Sequence, residues 1–461
     1  MGPRWTVWPK EEKNRTMDLQ IGTFPVRRLS AGTPAGWSDG VLTIAPDAVR
    51  DLVLEDDRIR RVAIDLVAPG DDARIILMRD VIEPRIKIEG RGHVYPGVAG
   101  HPTDTVGAGV TFRYEGFAVM VCAEVLPHIR RAVSAATDSI IDMTGPGAVT
   151  VYSSLRYLVL TLETQPDLEL TEWNEALRQA GHRVADALAG LLRGLEPPRR
   201  RQFALPRPAA LLPRVVHVHT LNASMVPGIG TGIYGFTPHA LPIVLHPNEI
   251  LDGAIVGDAV VGYPGKCTWL HVNNPVLEAM YDRHGRDFDW VGCIISRTRW
   301  GALKDKQLSA YQTAKLAKML GAEGALVTWN HGGNDLIEVM LTIQGLERTG
   351  IKTVFLTIES DIKVVRMRPE LAETGTDEPP LLFSVPEADA IVSTGTLAPS
   401  DRLPAVSRVV GGVELVFNQE RPELRTPAQG PLDLEALSGA YSPVFGHFDN
   451  YGLGRQSYYD Y

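Results

Sequence analysis

His217 and His219 stand two residues apart in Arg214-Val-Val-His-Val-His-Thr-Leu221, a run whose β-branched composition predicts a strand. Alternate residues of a strand share a face, so both imidazoles could reach one divalent ion such as zinc, with His239, His246 or Glu249 completing the shell. A water on that ion would be a hydrolytic nucleophile. The plainer reading is a packed, hydrogen-bonded pair at a strand end. A second group is Trp329-Asn-His-Gly-Gly-Asn-Asp335, which follows the apolar run Ala325-Leu-Val-Thr328 and precedes a helical pattern. Gly332 and Gly333 permit close backbone approach, and the first turn of the new helix offers unbonded N–H groups to an anion. Asn330, Gly332, Gly333 and Asn334 are therefore candidate substrate-binding residues, and His331 and Asp335 candidate catalytic ones; the competing reading is that Asn334 or Asp335 merely caps the helix. Cys267 lies in Gly265-Lys-Cys-Thr268, where the neighbouring cation could lower the pKa of the thiol and activate it, although a buried packing role competes. Asp258, nine residues before it, is the remaining catalytic candidate, and Cys293, inside an apolar strand, is read as packing alone. Gly230-Thr-Gly-Ile-Tyr-Gly235 spells a dinucleotide fingerprint, but Pro238 and Pro242 interrupt the helix such a site needs. A flexible glycine loop beside the cleft is the better expectation.

Positioning these residues requires a particular set of elements. Strands are predicted at Arg214 to Leu221, Trp290 to Ser296, Gly324 to Trp329, Lys352 to Thr357 and Ala388 to Gly395, with helices at Ser309 to Leu320 and Leu336 to Thr349 between them. Parallel strands need crossover helices, so the alternation predicts an α/β fold with a doubly wound, mostly parallel sheet over residues 214–418. Ligands of such sheets bind beyond the carboxyl ends of the strands, where the candidate loop falls. Residues 17–196 predict a β-rich α+β domain with a short helix at Pro46 to Leu54 and an amphipathic one at Trp173 to Leu195. The Pro- and Arg-rich residues 197–213 read as a linker, 419–461 as a tail wrapping a surface or a partner, and 1–16 as an extension.

Composition excludes several classes. The chain has 461 residues, too many for one ordinary core, and its 46 basic against 55 acidic residues give a net charge of -9, which argues against nucleic acid or an anionic membrane as partner. Three cysteines without a C-x-x-C pair point to neither a disulfide framework nor a thiol redox motif, and with no long apolar run a cytoplasmic location is expected.

Longer matches carry more information than any of these patterns. Asp80-Val-Ile-Glu-Pro-Arg-Ile-Lys-Ile-Glu-Gly90, Tyr95-Pro-Gly-Val98 and Asp142-Met-Thr-Gly-Pro-Gly-Ala148 occupy the first half of the chain. His246 to Pro275, Arg283-His-Gly-Arg-Asp287, Thr313-Ala-Lys-Leu-Ala317 and Gly350-Ile-Lys-Thr-Val354 occupy the second. Together they resemble the alpha/beta subunit precursor of component B of glycine, sarcosine and betaine reductase, to which the D-proline reductase proprotein is related. The resemblance implies action on a C–N bond of a small nitrogenous, amine or amino-acid-like substrate, in a hetero-oligomer with a larger reductase-like subunit whose selenol or thiol attacks the α-carbon. It also implies that a cysteine between His246 and Pro275 is converted by backbone cleavage into a pyruvoyl group that captures the amine. Here the flanks Asp252-Gly-Ala-Ile255 and His271-Val-Asn-Asn-Pro275 bring Asp258-Ala259 to the expected position. Alanine has no side-chain nucleophile to start an acyl shift, so a pyruvoyl group is disfavoured and an uncut chain expected. A metal-dependent hydrolase or lyase using His217 and His219 is the alternative on the same fold, and a noncatalytic partner subunit the second alternative.

Overall fold

Three apolar clusters organise the chain, and strict alternation along the strands decides which residue joins which cluster. In the strand Phe117–Cys122, Phe117, Val119 and Val121 face one cluster while Ala118, Met120 and Cys122 face another. The strand Arg156–Thr164 divides the same way, with Leu158, Leu160 and Leu162 opposite Tyr157 and Val159. This is the period of two expected of a strand buried on both faces. The computed structural model describes residues 17–358 apart from 131–136, 149, 224–229, 236–240, 258–266, 300–301 and 331–334, and beyond them 390–394, 402–403, 406–413, 416–417, 432–433, 442–445 and 458–460.

The first half is built on a mixed sheet in the order Ser442–Phe445, Thr137–Asp142, Ala73–Ile82, Phe117–Cys122, Arg156–Thr164, Ile59–Val67, with Arg408–Val410 also paired to Ala73–Ile82. Beside it stands a four-stranded sheet in the order Arg199–Phe203, Leu19–Pro25, Gly109–Glu115, Arg85–Glu89. The helix Leu170–Gly190 buries Trp173, Leu177, Val184 and Leu188 in the first cluster, the stripe its sequence predicts. The short helix Pro46–Leu54 forms where expected.

The second half is a sheet in the order Ile243–Leu245, Asp289–Arg299, Arg214–Ala223, Gly324–Trp329, Lys352–Ile358, Ala390–Thr394, Tyr458–Asp460. Its five inner strands are parallel and its two edge strands antiparallel. All five predicted strands are present. Both sheets contribute to the second cluster, which holds Ile75, Met120 and Val159 of one together with Leu221, Trp290, Cys293 and Ile295 of the other, and Leu277 from the helix between them. The helices Leu303–Met319 and Leu336–Arg348 cover the outer face through Val216, Val218, Ile294 and Val327. The overall class is α/β, as predicted.

Two expectations about boundaries change. Within the supposed linker, Arg199–Phe203 is a strand paired antiparallel with Leu19–Thr23. Its polar sequence hides this because the arginines find partners: Arg199 pairs with Glu115, and Arg201 with Glu278 at 3.1 Å and Asp282 at 2.9 Å. The tail likewise contributes edge strands to both large sheets rather than only wrapping them.

A buried ionic network ties the two halves together. Lys87 pairs with Asp252, whose carboxylate also accepts from Thr111 Oγ1 at 2.6 Å and from the Gly107 N–H at 2.9 Å. Arg85 donates to Leu251 O at 2.6 Å, Val272 O at 3.1 Å and Glu83 at 2.8 Å. Removing one member of a buried pair strands the other charge. Asp252→Ala should therefore lower the unfolding free energy by about 3–5 kcal/mol in urea titration, while Lys87→Met combined with Asp252→Leu should recover most of that loss.

Candidate functional site

The strand order puts Arg214–Ala223 between the strands that follow it in sequence. The chain leaves it on one side to form Asp289–Arg299, then crosses back to form Gly324–Trp329 on the other. Successive crossovers therefore run in opposite directions, and their helices lie on opposite faces of the sheet. Where the carboxyl ends of Arg214–Ala223 and Gly324–Trp329 adjoin, the chain paths diverge, the position at which sheets of this kind form a ligand-binding crevice.

Polar side chains fill that position. Asn222, at the end of the first strand, donates its backbone N–H to Asn330 Oδ1 at 2.8 Å and its side-chain amide to the Asp335 carboxylate. Asn330 Nδ2 donates to Thr231 Oγ1 at 3.2 Å, and Arg297 donates to Thr231 O at 2.8 Å. Lys306 and Glu338, from the two outer helices, pair at 3.8 Å. Every one of these residues is buried. A carboxylate, a guanidinium and two amides are joined here by these bonds, enough to orient a small polar molecule and move a proton.

Of the predicted site residues, Asn330 and Asp335 thus come together, while His331, Gly332, Gly333, Asn334 and Asp258 lie outside the described residues. Asp335 occupies the N-cap position of Leu336–Arg348 but makes no side-chain cap bond. Its carboxylate turns to Asn222 instead, so simple capping does not account for it. Sequence reasoning passed over Asn222, Thr231, Arg297, Lys306 and Glu338. The available signal was Asn222 at the carboxyl end of a predicted strand.

Among the described residues, a hydroxyl and not a third ligand joins His217 and His219. Thr328 Oγ1 sits 2.8 Å from both His217 Nε2 and His219 Nδ1, and Cys293 Sγ lies 3.6 Å from His217 Nδ1. Of the expected further ligands, His239 lies outside the described residues, His246 Nδ1 accepts from Asn248, and Glu249 accepts from the His246 N–H and from Tyr234. Among the described residues no group of three or more His, Cys, Asp or Glu side chains is arranged to hold a metal ion. The strand spacing was right, and the hydroxyl from the adjoining strand joins the two rings.

The remaining expectations concern the stretch before Pro275. The predicted glycine loop holds a short strand instead: Gly232–Ile233 pairs antiparallel with Ile255–Val256. Cys267 is buried in the second apolar cluster and stands just before the short helix Thr268–Val272, the placement of a packing residue. Thr268 is held by Asp80, which accepts from its N–H at 2.8 Å and from its hydroxyl at 2.7 Å, while Thr268 Oγ1 accepts from the Gly257 N–H at 2.9 Å. Gly257 and Thr268 are thereby tied together at the base of residues 258–266. Burial pushes the Asp80 carboxyl up to about 7, against the opposing pull of the Thr268 and Val81 donors.

The model for the family described as glycine/sarcosine/betaine reductase component B subunits matches residues 17–420 of this chain. The chain belongs to that family. It is 34% identical over 413 residues to the betaine reductase complex component B subunit alpha of Peptoclostridium acidaminophilum, covering 86% of this chain and 88% of the relative. It is 29% identical over 444 residues to the glycine reductase complex component B subunits alpha and beta of Acetoanaerobium sticklandii, covering 93% and 98%. The D-proline reductase proprotein PrdA of the same organism is 20% identical over 458 residues, covering 93% of this chain and 68% of the relative. No solved structure matches. These relatives are reductase proteins by name, and nothing in them supports the hydrolase or lyase alternative. The component B resemblance also raises the question of a pyruvoyl group. Gly257 to Lys266 contains no cysteine, serine or threonine, so these residues do not fit self-processing at Asp258-Ala259.

The buried histidines set an acid limit. Burial brings both His217 and His271 down to about 3, and both ring nitrogens of His271 lack partners. The unfolded chain therefore binds more protons below about pH 6.5, and stability falls as pH drops from there toward 3. Asp80 contributes the opposite slope between about 4 and 7, because its folded form keeps the proton longer. His271→Leu should flatten the acid loss by up to about 1.4 kcal/mol per pH unit without lowering stability at pH 7.5, as read from urea midpoints at pH 7.5, 6 and 5.

Proposed function

We propose that this chain is the substrate-binding subunit of a reductase complex that breaks a C–N bond in a small amine or amino-acid-like molecule, and that it works as one uncut chain beside a larger reductase-like subunit. The observation that supports this reading most is the convergence of Asn222, Asn330 and Asp335 in the crevice between two parallel strands, in a chain of the component B family. Buried charges are costly to fold, and a cluster of them at the carboxyl ends of parallel strands is most economically explained by a ligand.

In this reading Asn330 and Asn222 hold the substrate, with Gly332, Gly333 and Asn334 giving the backbone room to approach it. A thiolate or selenolate of the partner attacks the α-carbon. The C–N bond breaks, its electron pair stays on nitrogen, and Asp335 in its protonated form supplies the proton that completes the leaving amine. His331 is the second candidate for that proton. The partner is proposed because the relatives at 28–34% identity are named as parts of reductase complexes.

The intact mass of purified protein, followed by turnover with its copurified partner, tests this reading. One uncut chain is expected, with a small amino acid or amine losing its nitrogen only when the partner and a reductant are present. Asp335→Asn should lower kcat by about 100-fold with little change in partner binding. Two fragments from a cut before Cys267, or full activity in Asp335→Asn, would contradict it.

A further inference from the structure

The helix Leu303–Met319 carries its small side chains inward and its large apolar ones outward. Apart from Lys306, its buried residues are Ser309, Ala310, Thr313, Ala314 and Ala317. They let the helix Leu336–Arg348 come close: a Cβ added to Gly345 would stand 3.3 Å from the Ala314 Cβ. On the opposite face Leu308, Tyr311, Lys315 and Met319 recur at helical spacing and form one stripe. Leu308, Tyr311 and Met319 are 46%, 48% and 72% exposed. With Leu303, this helix holds four of the nine exposed large apolar side chains among the described residues, a local concentration rather than the ordinary scatter of a soluble surface.

The stripe borders a groove of about 490 Å³ between the two helices. The buried Ala314 and Gly345 line its floor, Tyr311 and Met319 one wall, and the exposed Lys315, Lys318 and Arg348 its rim. Among the described residues no carboxylate pairs with any of these three cations. Lys318 donates instead to Thr349 O at 3.2 Å, and Glu347, the acid next to Arg348, is hydrogen-bonded to Thr353. In a chain of net charge -9, an apolar groove edged by unpaired cations calls for apolar side chains flanked by carboxylates.

That complement disfavours two other occupants. In a two-fold pairing with a second copy the groove would face itself, and its three cations would meet the same three. An anionic bilayer would meet the negative charge of the whole chain, and a flat surface does not enter a groove. Position adds a further constraint. Asp335, at the start of Leu336–Arg348, bonds to Asn222 at the crevice, whereas Arg348 ends this 13-residue helix about 20 Å away. A partner held in the groove leaves the crevice open.

We propose that the groove between Leu303–Met319 and Leu336–Arg348 is the docking surface for the larger subunit, through a segment of that subunit in which apolar side chains are flanked by aspartates or glutamates. The inference rests on the reductase reading for the existence of that subunit, and it makes the contact an anchor remote from the chemistry.

Cross-linking in the complex tests it. p-Benzoylphenylalanine in place of Tyr311 in the full chain, irradiated with the copurified larger subunit bound, should cross-link to an acidic, apolar-containing segment of that subunit, as mapped by mass spectrometry. Met319→Glu and the double variant Lys315→Glu with Arg348→Glu should each raise the Kd for the larger subunit about 10-fold to 100-fold, and the wild-type Kd should rise with salt. Both variants should melt close to the wild-type temperature, because the altered side chains are exposed, and both should keep the wild-type kcat at saturating larger subunit. Three results overturn the proposal: cross-links confined to a second copy or to residues 359–389 of the same chain, an unchanged Kd in both variants, or binding to phosphatidylserine vesicles that Met319→Glu abolishes while the complex still forms normally. Weakened docking in the variants of a complex that cleaves no C–N bond leaves the surface standing and removes the reductase reading. Cleavage by a complex that both variants assemble with wild-type Kd does the reverse.

Discussion

The pairing of Lys87 with Asp252 is the constraint on which the rest of the molecule depends. It is buried, saturated by Thr111 and the Gly107 N–H, and set beside Arg85, which reads the carbonyls of Leu251 and Val272. Charges taken out of water are tolerable only where each lone pair and proton has a partner, and this network meets that condition. Its two sides come from Asp80 to Gly90 and His246 to Pro275, two of the stretches that carry the family resemblance. The network fixes where the second stretch sits on the first-half sheet, and with it the Gly232–Ile233 strand paired to Ile255–Val256.

That placement gives the crevice its second wall. The parallel sheet alone supplies Asn222, Asn330 and Asp335, and Thr231 joins them beside Gly232, which lies between Val256 and the Arg178 side chain of the first half. The helix Leu170–Gly190 then brings Arg178 to the same backbone. Two folding units that share the second apolar cluster thus enclose polar groups that neither could justify alone.

Much of the fold was legible in the sequence. The five parallel strands and the helix Leu336–Arg348 follow from apolar runs alternating with amphipathic ones, a local signal that tertiary contacts reinforce. The strand Arg199–Phe203 was not legible, because three arginines in a row read as solvated chain unless Glu115, Glu278 and Asp282 are known to be nearby. The helix Leu303–Met319 begins six residues before Ser309 for a related reason: Lys306 looks like a surface residue, yet it is buried against Glu338. At the site, Asn330 and Asp335 could be found from their place after a strand. Asn222 bonds to Asp335 across 113 residues, and no local pattern announces such a pairing. For the histidine pair, strand geometry says that two side chains share a face and not what lies between them, which here is the Thr328 hydroxyl.

The central claim is that the crevice between Arg214–Ala223 and Gly324–Trp329 receives the substrate. A crystal structure of the chain soaked with glycine betaine or sarcosine tests it most directly. The account predicts ligand density in contact with Asn330 and Asp335. Density bound only elsewhere on the molecule, with these side chains still closed on one another, would contradict it.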